Sequence, residues 1–330
     1  MDSQLSVSRL SRRALLGATA ALAAGPAIAE ECRLGPAPHE RGERVFLDMD
    51  QQELDASYNQ LAYEPFLAQI TKRLASNSEA MRARIGAPQR ETYGPTAAEG
   101  LDIYRTKREN APIFVFIHGG AWLGGAAKDY GYPAEMFVNA GAHYIAVDFV
   151  AIKEAGGDLD VMAKQVRSAV AWVHNNAAKF GGDPAQLYVG GHSSGGHLCG
   201  VVMVTDWQKD FGLAPDIIKG GMCMSGMYEM DPVALSARRN YVKFTDAMKG
   251  SMSAIRHIDR LSAPITVTYG TFETPDFQRQ SREFAAAVKA QGKPVRLIAA
   301  ANYAHLEMCE SLGNPYGANG RAALEMMKLG

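Results

Sequence analysis

Cysteine is scarce in this chain: four in 330 residues, Cys32, Cys199, Cys223 and Cys309. None stands in a C-x-x-C pair, which excludes a zinc ribbon and a thioredoxin-type redox motif. No sign of charge dominates. The formal net charge is −1, so no broad basic face for nucleic acid or acidic partners is expected. No apolar run is long enough to span a bilayer; the run from Leu15 to Ala24 falls well short of it. No internal repeat is present. What remains is an ordinary globular composition, 47% hydrophobic and 21% charged.

The N-terminus is set apart from the rest. Ser11-Arg12-Arg13 precedes the Leu15–Ala24 run, and Ala27-Ile28-Ala29 supplies a small-residue cleavage site. A basic head, a short apolar centre and small residues at the cut make an export signal. The paired arginines make it a twin-arginine signal. Residues 1–29 are therefore expected to be removed, residues 30–49 to form a loose arm, and residues 50–330 to form a single α/β domain. The expected location is periplasmic or secreted, with no stable membrane anchor. An oxidising compartment permits disulfides, but the sequence selects no pair. Oligomeric state leaves no mark in it.

Beyond the arm, residues 50–85 read as helical from apolar spacing at Leu54, Tyr58, Leu61, Phe66, Ile70 and Leu74. Continuous apolar runs at 113–117 and 144–147 read as buried strands, and 187–189, 219–224, 265–269 and 295–299 read as further strands. Helical patterns at 159–178, 194–206, 276–290 and 318–328 alternate with them. That alternation predicts a mainly parallel, doubly wound sheet with helices on both faces, whose ligands bind at the carboxyl ends of the strands.

Gly-Gly-His-Ser-Ser-Gly-Gly-His-Leu, residues 190–198, falls between a strand and a helix. This is the context of a nucleophile elbow, G-x-S-x-G. Centring the motif on Ser193 puts Gly191 and Gly195 at its flanks; centring it on Ser194 puts His192 where glycine is required. Ser193 is thus the candidate nucleophile, and the Ser194 backbone N–H the candidate oxyanion donor. His118-Gly119-Gly120-Ala121-Trp122 follows the strand at 113–117. Its Gly119 and Gly120 N–H groups are the other candidate oxyanion donors. The loop lacks the Lys-Ser/Thr ending of a phosphate-binding loop.

A serine nucleophile needs a base, and the base an orienting carboxylate, in the chain order Ser, acid, His. Of the histidines after residue 197, His257 lies in the basic stretch Arg256–Arg260 and His305 follows the 295–299 strand after a short loop. His305 is preferred. After the 265–269 strand, Glu273 and Asp276 compete. Asp276 is placed to cap the next helix, so Glu273 is preferred. Trp122 and Tyr228 are candidate pocket residues, with core packing as their alternative; the methionines from Met222 to Met230 and Cys199 read as core.

Together with Phe180-Gly181-Gly182-Asp183-Pro184, these motifs resemble the α/β-hydrolase superfamily on its esterase side. More specific pieces resemble the kynurenine formamidase (arylformamidase) group: Leu54-Asp55-Ala56-Ser57-Tyr58-Asn59, Gln165–Trp172, Phe277–Phe284 and Asn302–Met308. The likeness spans about residues 50–328 and places Glu273 and His305 on that group's catalytic acid and histidine. It implies a Ser-His-acid hydrolase of small-molecule esters, or of amides such as aryl formamides, without cofactor or metal. Three departures stand out: Ser194 where alanine is usual, Glu273 where aspartate is common, and an unusual Asp148–Glu154 segment. Kynurenine formamidase proper, an aryl amidase or carbamate hydrolase, acyl transfer to an alcohol, and a non-catalytic ligand-binding protein on the same fold are the alternatives.

Overall fold

The computed structural model describes residues 34–329. The expected export signal and Cys32 lie outside the described residues. The compact unit begins at Gly35. Its strands are β1 (Gln89–Thr92), β2 (Gly100–Tyr104), β3 (Ala111–Ile117), β4 (His143–Val147), β5 (Gly182–His192), β6 (Ile218–Met224), β7 (Ile265–Gly270) and β8 (Val295–Ala300). They form one sheet in the order β1-β2-β4-β3-β5-β6-β7-β8. From β4 to β8 across the sheet every pairing is parallel. β1 and β2 add an antiparallel edge. β1 escaped the sequence reading because Gln-Arg-Glu-Thr has no apolar residue.

Around the sheet lie α1 (Gln51–Ser57), α2 (Leu67–Ile85), α3 (Ala134–Asn139), α4 (Leu159–Asn176), α5 (Ser194–Met203), α6 (Trp207–Phe211), α7 (Met230–Leu235), α8 (Asp246–Met252), α9 (Pro275–Ala290), α10 (His305–Glu310) and α11 (Ala318–Met326). The period-two geometry of a strand divides β3 between two cores. Ile113, Val115 and Ile117 join the cluster that includes Val166, Val170, Leu198 and Phe284. Phe114 and Phe116 join Phe137, Tyr144, Met222 and Met224 on the opposite face. Met227, Met230 and Cys199 are fully buried as well, in keeping with their reading as core.

Two local expectations need correction. The helical stretch 50–85 is three pieces: α1, a 3-10 turn at Gln60–Ala62, and α2. Asn59 breaks it by accepting from its own chain at Leu61 N (3.2 Å), and Pro65, whose ring disfavours helix at the residue before it, separates the turn from α2. The arm is also not loose from Gly35 onward. Asp50 caps α1, and its carboxylate also accepts from His39 (2.8 Å) and from Gly42 N (2.9 Å). Gly35 N donates to Ala62 O (2.7 Å), and the Arg279 guanidinium lies 5.0 Å from the Phe46 ring centre.

Candidate active site

The site is assembled at the carboxyl ends of the parallel strands. β5 ends at His192 and α5 starts at Ser194, so Ser193 alone makes the turn. Its backbone sits at φ 59°, ψ −124°, a region that costs a non-glycine residue about 1–3 kcal/mol. The surroundings hold it there. Ser193 N donates to Met224 O of β6 (2.9 Å). A Cβ at Gly191 would come within 2.1 Å of Gly195 O, and one at Gly195 within 2.1 Å of Ile117 O. The two flanking glycines therefore let strand, turn and helix approach at backbone distance.

Gly119 and Gly120 follow β3 beside this turn. A Cβ on Gly119 would meet His192 O at 2.9 Å and Ser193 Cβ at 3.0 Å. Gly120 has φ 114°, and a Cβ there would come within 2.3 Å of Gly124 O. Among the described residues, no hydrogen bond uses the N–H of Gly119 or Gly120. Trp122 N donates to the Ser194 side-chain oxygen (3.1 Å), which ties the loop to the elbow. The departure at Ser194 thus has a structural use. So does the Asp148–Glu154 segment: Asp148 accepts from Ala127 N (2.6 Å), and Phe149 stacks 4.4 Å from the His118 ring.

His305 opens α10 and Glu273 lies in the turn after β7, and the fold brings them together. His305 Nδ1 donates to Glu273 Oε2 (3.2 Å). Glu273 Oε1 accepts from Ser225 Oγ (2.6 Å) and from Gly270 N (2.7 Å). Burial pushes the Glu273 carboxyl up to about 7, against those two donors. Burial, with the nearby Arg238 charge, pushes His305 down to about 3, so its imidazole is neutral at ordinary pH. Ser193 and His305 line one cavity of about 610 Å³, together with Gly119, Gly120 and His192. Apolar side chains of Leu61, Leu67, Leu74 and Leu123 complete much of its wall.

The competing residues lie elsewhere. His257 hydrogen-bonds Gly250 O (2.9 Å) and does not line the cavity. Asp276 does not cap α9: the N-cap is Thr274, and the Asp276 carboxylate is buried against the Tyr58 hydroxyl and Arg279 Nε. Trp122 and Tyr228 are corrected from pocket to core. Both are fully buried and neither lines the cavity. Trp122 packs edge-on to His197 (5.2 Å) and Tyr228 stacks on Phe284 (4.3 Å), where aromatic surface finds apolar partners. Three supporting residues escaped the sequence reading. His192 hydrogen-bonds the His305 carbonyl (2.9 Å), and Glu64 accepts from Leu306 N (3.0 Å). Ser225 holds Glu273. Of these, only His192 had a signal, as the variable position of the elbow.

Known proteins resemble this chain in sequence and in fold. A family model described as BD-FAE matches residues 101–221. The chain is 28% identical over 277 residues to kynurenine formamidase of Danio rerio, covering 80% of this chain and 92% of the relative. It is 25% identical to Esterase LipC of Mycobacterium tuberculosis over 61% of this chain and 55% of that one. A crystal structure of a putative thioesterase from Silicibacter sp. TM1040 superposes with a TM-score of 0.71 at 21% identity, covering 81% of this chain and 97% of the other. A hyperthermophilic esterase from Pyrobaculum calidifontis gives 0.64 at 18%, covering 81% and 94%.

The chain has the α/β-hydrolase fold.

The packing of this fold makes one substitution act in opposite directions at two glycines. Gly195→Ala forces a Cβ onto the Ile117 carbonyl and is expected to destabilise by about 1–3 kcal/mol. Gly250→Ala, inside α8 with nothing within 4 Å of the new Cβ, is expected to stabilise by about 0.5–1 kcal/mol. Urea midpoints of the two variants check both signs; equal midpoints contradict the packing argument.

Proposed function

We propose that the protein hydrolyses carboxylic esters and aryl amides or formamides of small molecules through Ser193, His305 and Glu273. The observation that carries the reading is the Nδ1 contact of His305 with the buried Glu273 carboxylate, on a histidine that shares its cavity with the elbow serine. The curated esterase and formamidase relatives support the two bond types.

On this reading Ser193 Oγ attacks the substrate carbonyl carbon and its proton passes to His305 Nε2. Glu273 orients the imidazole and stabilises the imidazolium. The N–H groups of Gly119, Gly120 and Ser194 receive the oxyanion, and removing one such donor typically costs about 3 kcal/mol of transition-state stabilisation. The carbonyl–heteroatom bond then breaks as His305 returns the proton to the departing alcohol or amine. Water, deprotonated by His305, attacks the acyl-enzyme carbonyl; the ester bond to Ser193 breaks, releasing the acid and restoring the serine. Export of this activity to the periplasm or beyond is part of the proposal, supported by Arg12-Arg13, the Leu15–Ala24 run and the Ala27–Ala29 cleavage site.

Purified protein assayed on p-nitrophenyl butyrate and on N-formylkynurenine is expected to turn over one or both. Ser193→Ala is expected to lower kcat on the order of a million-fold; turnover that survives that change contradicts the mechanism. The pH dependence follows from the same pair. The base works with Glu273 ionised and His305 neutral. His305 is already neutral above about 3, so Glu273, raised to about 7 by burial, sets the acid limb. kcat/KM is expected to rise with pH through a midpoint near 7. Ser225→Ala, which removes a donor to the carboxylate, is expected to move that midpoint upward. A midpoint below 5, or one that Ser225→Ala leaves in place, contradicts the assignment.

A further inference from the structure

The wall of the cavity contains a buried cation with no anion. Arg238 follows α7 in the 3-10 turn Ala237–Asn240. It is 5% exposed and lines the same cavity as Ser193 and His305. Its partners are all neutral. Nη1 donates to the Tyr241 hydroxyl (2.8 Å) and Nη2 to the Tyr58 carbonyl (3.2 Å). The guanidinium carbon lies 5.1 Å from the Trp122 ring centre and 6.0 Å from that of Tyr58. Nε is buried without a hydrogen-bond partner. No carboxylate among the described residues lies within 4 Å of it, although the more exposed Arg41, Arg73, Arg84 and Arg256 are paired. Two acids of neighbouring segments are committed elsewhere: Asp55 accepts from Ala237 N (2.6 Å) and Gln51 (3.0 Å), and Asp129, also in the cavity wall, pairs with Lys128.

A guanidinium is charged at every working pH and presents donors suited to a carboxylate. Burying one against neutral groups alone costs stability that a structural arginine normally recovers from a paired acid. A ligand can supply that acid. We propose that Arg238 is the carboxylate-recognition residue of this cavity, so that the substrates are esters or amides that also carry a carboxylate. The inference rests on the hydrolase reading and names its substrate class. It also has a consequence for the base: the Arg238 charge disfavours a proton on His305, and a bound carboxylate offsets that charge while the imidazolium forms.

The test separates binding from turnover. Calorimetry on Ser193→Ala protein compares 4-nitrophenylacetate, a carboxylate, with its neutral isostere 4-nitrophenylacetamide. The carboxylate is expected to bind about 10-fold tighter or more. The preference is expected to vanish when Arg238→Gln is added and to return in part with Arg238→Lys, with thermal melts recording which variants are folded. Should Arg238→Gln fail to fold, the loss of the carboxylate preference with rising salt in Ser193→Ala protein decides. Equal affinities, no binding of either probe, or a preference that persists without Arg238 overturns the inference. If that happens while p-nitrophenyl butyrate is still cleaved in a Ser193-dependent way, the hydrolase reading stands alone. If the preference is found but esters are not cleaved, the anion site stands and the hydrolase reading falls.

Discussion

The backbone of Ser193 is the constraint on which the remaining geometry depends. A serine at φ 59° and ψ −124° persists only where its neighbours over-determine it. Here the neighbours are main chain. β5 is paired on both sides, with Ile117 against Gly191 and His192 against Met224, and α5 packs so close that Gly191 and Gly195 leave no room for a side chain. Register in the central sheet thereby fixes where the Ser193 hydroxyl emerges. The same register places the end of β3, and with it Gly119 and Gly120, alongside. The Ser194 hydroxyl then joins loop to elbow through Trp122 N.

A second set of contacts ties the N-terminal segments to the His305 side of the site. The Tyr58 hydroxyl meets Asp276 at the start of α9 and accepts from Gln280 Nε2 (2.8 Å). Gln280 Oε1 in turn accepts from Tyr228 N (2.6 Å) and Glu229 N (2.9 Å). Glu64 holds Leu306 N, the residue after His305. Segments some two hundred residues apart in sequence are thus joined by buried polar bonds, which are costly to break singly because each orphaned partner stays desolvated. The cavity wall built from Tyr58 to Ala75 is consequently fixed relative to His305.

Much of this was legible in the sequence, and the reason is physical. Continuous apolar strands such as Ile113–Ile117 announce a sheet buried on both faces, and the glycines around Ser193 and after His118 mark places where backbones touch. The chain order of Ser193, Glu273 and His305 follows from strand ends. Residues that act through long-range contacts were not legible. Arg238 and Arg239 are indistinguishable in sequence, yet one is buried beside Tyr58 and the other is exposed. Glu64, Ser225 and Tyr58 find their partners only once the sheet is closed. Trp122 misled because its place after the His-Gly-Gly run suggested the pocket; its positive φ of 63° accompanies a ring buried in the core. Asp276 misled because a carboxylate in a first helical turn is ordinarily a cap, whereas here Tyr58 and Arg279 occupy it.

The most direct measurement is the site of covalent capture. The protein is treated with a fluorophosphonate at neutral pH, digested, and the adduct located by tandem mass spectrometry. The account predicts one modified residue, Ser193, with capture strongly slowed in His305→Ala. Modification at Ser194 or Ser225 instead, or labelling of Ser193 at the same rate without His305, would contradict it.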